Sequence, residues 1–256
     1  MSDLHAELHA DRLDYAALKK SDIAIVAGDL GPDPATSLAE LRQIAAAYKT
    51  VLFVDGNHEF RKGLPDYVYN FNFDAVEEKL RQGIAQIPNV VYLRDKPFVK
   101  DGVAVIGRNG HWDYKMVKGY PRRRAIRECA RILETDFNNA ASFSKLARRD
   151  YYALRDQIIK FNRDPSIHTI VVVTHTVPRS ELLKDAPPAR QAIKGSSQMR
   201  HLLQYDAGKK IKFWLFGHQH DSRKQEIDGV LYHENPRGHN RDTAKGYKPS
   251  AVRLGA

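Results

Sequence analysis

The stretch VLFVDGNHE, Val51 to Glu59, decides the fold. Four apolar residues run into a carboxylate, a glycine, an asparagine, a histidine and a glutamate. An apolar run of this length reads as a strand buried on both faces, and Gly56 marks where it stops and the backbone turns. Asn57 and His58 then stand at the carboxyl end of that strand, where open α/β sheets gather their ligands. An amide oxygen beside an imidazole on a tight turn suits a metal-bound phosphate. The plainer alternative is a strand-to-helix turn capped by Asn57, with His58 on the surface.

The same design recurs on either side. Upstream, Ile23 to Ala27 is a second apolar run, ending in Gly28 and Asp29. Asp33 and Thr36 are available to cap the helix that follows, which leaves Asp29 free for chemistry. Helical spacing of Leu38, Leu41, Ile44 and Ala45 leads back to the Val51 strand, and this alternation argues for a layered α/β fold. A short helix is expected over about 11–20. Asp3 and His5 lie two apart, so extended backbone projects both to one side as a half-site for a divalent metal. Taken alone, that pair also reads as a polar terminus.

Downstream, an irregular aromatic stretch precedes a helix over about 74–86. Val90 to Leu93 and Val103 to Gly107 are strands, with Lys100, Asp101 and Gly102 a hairpin turn, so the sheet is expected to become partly antiparallel. Residues 109–161 look helical and strongly basic (Arg122, Arg123, Arg124, Arg127, Arg131, Arg148, Arg149), and read as an inserted cap or an outer helical layer. Thr169 to Pro178 holds a buried strand running into His175. Ile211 to His220 repeats the pattern with Gly217, His218 and His220. A strand over Val230 to His233, a turn over Asn235 to His239 and a short strand near 251–254 complete a single domain, 1–256.

Composition sets wider bounds. The 256 residues are 42% hydrophobic and 28% charged, ordinary for a globular protein. No apolar run approaches the roughly 18 residues of a membrane helix, and no signal-peptide pattern opens the chain. Cys129 is the single cysteine, so no internal disulfide forms and the cytoplasm is the expected compartment. The net charge of +10 favours anionic partners, from phosphorylated small molecules and nucleotides to nucleic acid or acidic lipid. Oligomeric state is not readable.

Aspartate, asparagine or histidine thus marks five strand ends: Asp3 with His5, Asp29, Asn57 with His58, His175, and His218 with His220. Core packing does not explain the set, because buried charges and imidazoles cost several kcal/mol each unless paired or metal-bound. The order D-x-H, GD, GNHE, H, GHxH resembles that of the calcineurin-like metallophosphoesterases over nearly the whole chain. The resemblance implies a four-layer α/β/β/α sandwich around a two-metal centre. It implies that Asp3, His5, Asp29 and His220 hold one ion. It implies that Asp29, bridging, with Asn57, His175 and His218 holds the other. His58 is then a catalytic residue beside the substrate, together with Asp29. NPRGH, at 235–239, resembles the NPRGY of some small bacterial members, and Arg237 is expected to support the metal-bearing loops or the phosphate. Asn57, His58, His111 and Arg237 are the candidate substrate contacts.

Mixed nitrogen and oxygen ligands without thiolate suit manganese first, with iron or zinc as alternatives. Two divalent ions bring +4 against −2 from Asp3 and Asp29, so the centre attracts phosphate. Such a pair shares a hydroxide at neutral pH and clamps phosphoryl oxygens. The expected activity is a phosphodiesterase on small or nucleotide-derived substrates. A metal-dependent nuclease is one alternative, and a non-catalytic binding scaffold of the same fold is another. Two features depart from the resemblance. Only Met1 and Ser2 precede Asp3, so the first strand is expected to be truncated and Asp3 and His5 to fray. GDLGPDP also lacks the acid-and-arginine continuation of protein phosphatases. Asp55 or Glu59 is a candidate to orient His58.

Overall fold

The computed structural model describes residues 1–63, 68–239 and 246–252. After a short helix α1 (Tyr15–Leu18) come β1 (Ile23–Ala27), α2 (Pro34–Ala47), β2 (Thr50–Val54), α3 (Phe73–Ile84) and β3 (Val90–Tyr92). β1, β2 and β3 form a parallel three-stranded sheet in that order. The second half supplies β4 (Phe98–Lys100), β5 (Val103–Arg108), α4 (Arg122–Ile132), α5 (Phe137–Arg163), β6 (Thr169–Thr174), a one-turn α6 (Pro188–Gln191), β7 (Ile211–Phe216), β8 (Arg223–Ile227) and β9 (Val230–Glu234). Its six strands run in the order β4-β5-β6-β7-β9-β8. β4 and β8 are antiparallel to their neighbours, while β5, β6, β7 and β9 are parallel.

Strand alternation builds the four layers. In β2, Val51 and Phe53 face a core containing Leu41 and Ile44 of α2 and Val76 and Leu80 of α3, whereas Leu52 and Val54 face the other way. In β6, Val171 and Val173 meet Leu52 and Val54 between the sheets. Ile170 and Val172 point outward against Leu154, Ile158 and Phe161 of α5. With a period of two, each buried strand serves two cores, so its sequence is continuously apolar. The order is α/β/β/α, as the resemblance implies.

The Asp101–Gly102 turn sits where the sequence puts it, both residues at positive φ (48° and 72°). It joins β4 to β5; Val90–Tyr92 belongs to the other sheet. Within 109–161 the helices begin only at Arg122, and the C-terminal half of α5 is the outer layer of the second sheet. Ala251 and Val252 carry no strand, and the rest of the strand expected near 251–254 lies outside the described residues.

The first residues are pinned, not frayed. Ala27 N–H donates to the Met1 carbonyl and Asp3 N–H to that of Gly28, while Ser2 bridges to Pro236 on the other side. Asp3 and His5 are fully buried. Backbone hydrogen bonds hold the segment to both neighbours, among them Ala27 to Met1, Asp3 to Gly28 and His5 to Asp29 on one side and Ser2 to Asn235, Arg237 to Ser2 and Gly238 to Asp3 on the other. No described helix is long and apolar enough to cross a membrane.

Candidate metal centre

Every predicted ligand comes from a strand end or the turn after it, and close backbone approach explains the glycine in the motifs. A Cβ on Gly28 would lie 2.6 Å from the Gly56 Cα and 2.7 Å from His175 Nδ1; one on Gly56 would lie 2.2 Å from Asp29 Oδ1. Two turns can therefore meet at Asp29 only if neither residue carries a side chain. Asp3, His5, Asp29, His218 and His220 all take left-handed backbone, with φ of 50°, 43°, 57°, 76° and 56°. Non-glycine residues held there cost about 1–3 kcal/mol each and collect at functional sites.

Asp29 is the hub. Its Oδ2 lies 3.2 Å from His175 Nε2 and 3.9 Å from both His5 Nε2 and His58 Nε2. Its Oδ1 accepts from His58 N–H at 2.8 Å. On one side His5 and His220 bring their Nε2 atoms to 3.1 Å, and His220 Nε2 lies 3.5 Å from Asp3 Oδ1. On the other, Asn57 Oδ1 is 3.0 Å from His175 Nε2. Asp29, His175 and His218 bring ligand atoms within 4.8 Å of one another, as do Asp3, His5 and Asp29.

Backbone carbonyls orient the rings. His175 Nδ1 is 2.8 Å from the Ala27 carbonyl and His218 Nε2 is 3.1 Å from that of Ile193. With those nitrogens donating, His218 Nδ1 and, once an ion displaces its proton, His175 Nε2 face the centre, the tautomer state of a metal-bound histidine. Burial opposes ionisation of Asp29, but His175 and His58 outweigh it and hold the carboxyl well below the usual range. Burial likewise opposes charge on His175, and Asp29 overrides it, raising the imidazole to about 10. Carboxylates crowded by imidazoles in this way fit divalent cations.

Asp55 and Glu59 serve other ends than orienting His58. Asp55 takes a bidentate pair of bonds from Arg94, both 2.9 Å, and another from Tyr92 at 2.7 Å. Glu59 accepts the backbone N–H of Asp29 (3.1 Å), Leu30 (2.7 Å) and Gly56 (2.6 Å), and so clamps the two turns together. The turn holding Asp29 is thereby built on a buried carboxylate thirty residues downstream.

His58 lines a cavity of about 430 Å³ with Asp29, Asn57, His218 and His220. Tyr69, Trp112, Ile132, Leu133 and Ile193 give it an apolar wall, and Arg61, Lys184, Arg190 and Lys194 a cationic one. No local motif marks these cations, and sequence reasoning missed them. His111 lies outside the cavity: it is fully buried, with Nδ1 2.9 Å from Asp150 and its ring among Phe60, Phe73 and Phe143. Arg237 is spent on Asp11, donating to its carbonyl at 2.9 Å.

The family model for calcineurin-like phosphoesterases matches residues 1–222. The chain belongs to that family. The phosphoesterase is also 22% identical to uncharacterized protein L509 of Acanthamoeba polyphaga mimivirus, over 94% of this chain and 91% of that one. The structure of a phosphopantetheinyl hydrolase from Mycobacterium tuberculosis superposes with a TM-score of 0.75 at 17% identity, over 94% of this chain and 89% of that one. A dimetal phosphatase from Danio rerio gives 0.49 at 14% identity, over 84% and 72%. Membership makes the protein a metal-dependent phosphoesterase and implies divalent ions; the Asp29 hub offers a donor set that fits such ions.

Proposed function

We propose that the phosphoesterase holds two divalent ions, manganese by preference, and hydrolyses phosphodiesters of small or nucleotide-derived molecules. The observation that carries this reading is the position of Asp29 Oδ2 between His175 on one side and His5 on the other, at 3.2 and 3.9 Å. Asp3, His5, Asp29 and His220 would hold one ion, and Asp29, Asn57, His175 and His218 its partner. Such a pair supplies a nucleophile at neutral pH and neutralises charge on the phosphoryl group.

The chain's own groups do the rest. Burial lowers the His58 imidazole well below its ordinary range, so the neutral ring donates an N–H to developing charge on the phosphoryl or leaving oxygen. Lys194, its Nζ 2.9 Å from the His218 carbonyl, and Arg61 add positive field beside it. The cavity volume and its apolar wall favour a small organic ester.

Manganese-loaded protein is expected to cleave a chromogenic phosphodiester faster than the matching monoester. Asp29→Ala should lower turnover by more than the ~100-fold that loss of a supporting residue costs. Failure of protein carrying two ions to cleave either ester refutes the reading. The exposed arginines 123, 124, 127 and 131 on α4, which ends at Ile132 on the cavity wall, favour a second reading, a nuclease. A steep fall of RNA or DNA binding with salt would select it.

A further inference from the structure

His239 stands beyond the residues matched to the family and at no strand end. The backbone nevertheless delivers it to the centre. Arg237 N–H donates to the Ser2 carbonyl at 3.1 Å and Gly238 N–H to that of Asp3 at 2.9 Å. His9 Nε2, 2.8 Å from the Gly238 carbonyl, fastens the same loop. The ladder that sets Asp3 and His5 therefore sets His239.

Its ring centroid lies 4.4 Å from that of His220 and 5.0 Å from that of His5, and His5 and His220 are 4.9 Å apart. The three offer ring nitrogens within 4.8 Å of one another. With metal–nitrogen bonds of about 2.0–2.1 Å, nitrogens on one ion are separated by about 3 Å when adjacent and about 4.2 Å when opposite. His5 and His220, 3.1 Å apart, already have the adjacent spacing, and a small closure admits the third ring.

We propose that His239 is a further ligand of the ion held by Asp3, His5, Asp29 and His220. This rests on the two-ion reading above. It gives that ion five protein ligands and its partner four. The partner, beside Asn57 and His218, is then the one left more open to substrate.

The test reads binding, not turnover. Metal-free parent, His239→Ala and His239→Phe are titrated with Mn²⁺, free ion being followed by electron paramagnetic resonance, and metal-free melting temperatures show which variants are folded. The parent is expected to take two ions per chain. Each folded variant should keep one ion at parental affinity and bind the other at least 10-fold more weakly, with a smaller rise in melting temperature on loading. Two ions at parental affinity in a folded variant overturn the proposal, and a raised KM alongside would make His239 a substrate contact instead. A parent that binds fewer than two ions refutes the two-ion reading itself. That result is distinct from a variant matching a two-ion parent.

Discussion

Two buried charge clusters lie side by side here and solve the same problem differently. Around Arg94, the acids Asp55, Asp150 and Glu77 are met by a guanidinium that the chain itself provides, at 2.9, 3.4 and 3.2 Å. Around Asp29, the acids meet imidazoles instead, and Asp3, Asp29, His5, His218 and His220 stand on left-handed backbone. The first cluster is paired within itself; the second gathers metal-ligating atoms within 4.8 Å of one another. Asp55 and Asn57, two residues apart on one turn, belong one to each. The comparison separates charge that holds the protein together from charge that works.

The largest effect should come from breaking the self-contained cluster. Arg94→Met leaves Asp55 and Asp150 buried without their cation, and loss of one partner of a buried pair costs about 3–5 kcal/mol. Denaturant unfolding of the metal-free protein measures it. The pH dependence should also change sign. In the parent, burial opposes ionisation of Asp55 and Asp150, but Arg94 outweighs it and lowers both carboxyls. Their contribution is therefore present above the unfolded carboxylate range near ~3.9 and lost as pH falls below it. Without Arg94, burial and the neighbouring Asp150 charge raise Asp55, so stability falls as pH rises above that range, while His111 and Arg149 still act on Asp150. The variant should recover stability between pH 7 and 5, where the parent's cluster contributes no change.

Chelation addresses the other cluster. Ions at about 100 times their dissociation constant stabilise by about 2.7 kcal/mol each, so a chelator should lower the melting temperature of the parent and of Arg94→Met by similar amounts. A chelator without effect on the parent would mean that the Asp29 cluster is as self-sufficient as its neighbour. The smallest effect tests the carboxylate under the Asp29 turn. Glu59→Gln puts an amide NH2 where one carboxylate oxygen accepts backbone N–H, so it should cost about 10–100-fold in metal affinity or activity and about 1–3 kcal/mol of metal-free stability for a buried donor left unpaired.

These contrasts explain what could be read from the sequence. Ile23 to Ala27 and Val51 to Val54 declare themselves because buried parallel strands are continuously apolar, and motif order then picks out seven side chains that the fold gathers at the Asp29 hub. Arg223 to Ile227 is a strand too, but its polar residues at a sheet edge carry no such pattern. The partnership of Asp55 with Arg94 is equally hidden, since contact across 39 residues leaves no local trace. Lys184 and Lys194 reach the cavity from irregular segments and Arg190 from the one-turn α6. His239 was visible as a letter in NPRGH, but only the bridge at Ser2 reveals where it goes.

The left-handed residues at the hub set a trap for protein engineering. Glycine would relax the main chain at any of them, so a screen for heat resistance run without metal should favour those very exchanges. Each would remove a donor with the strain. The sturdiest descendants of this chain would be those that had forgotten how to grip an ion.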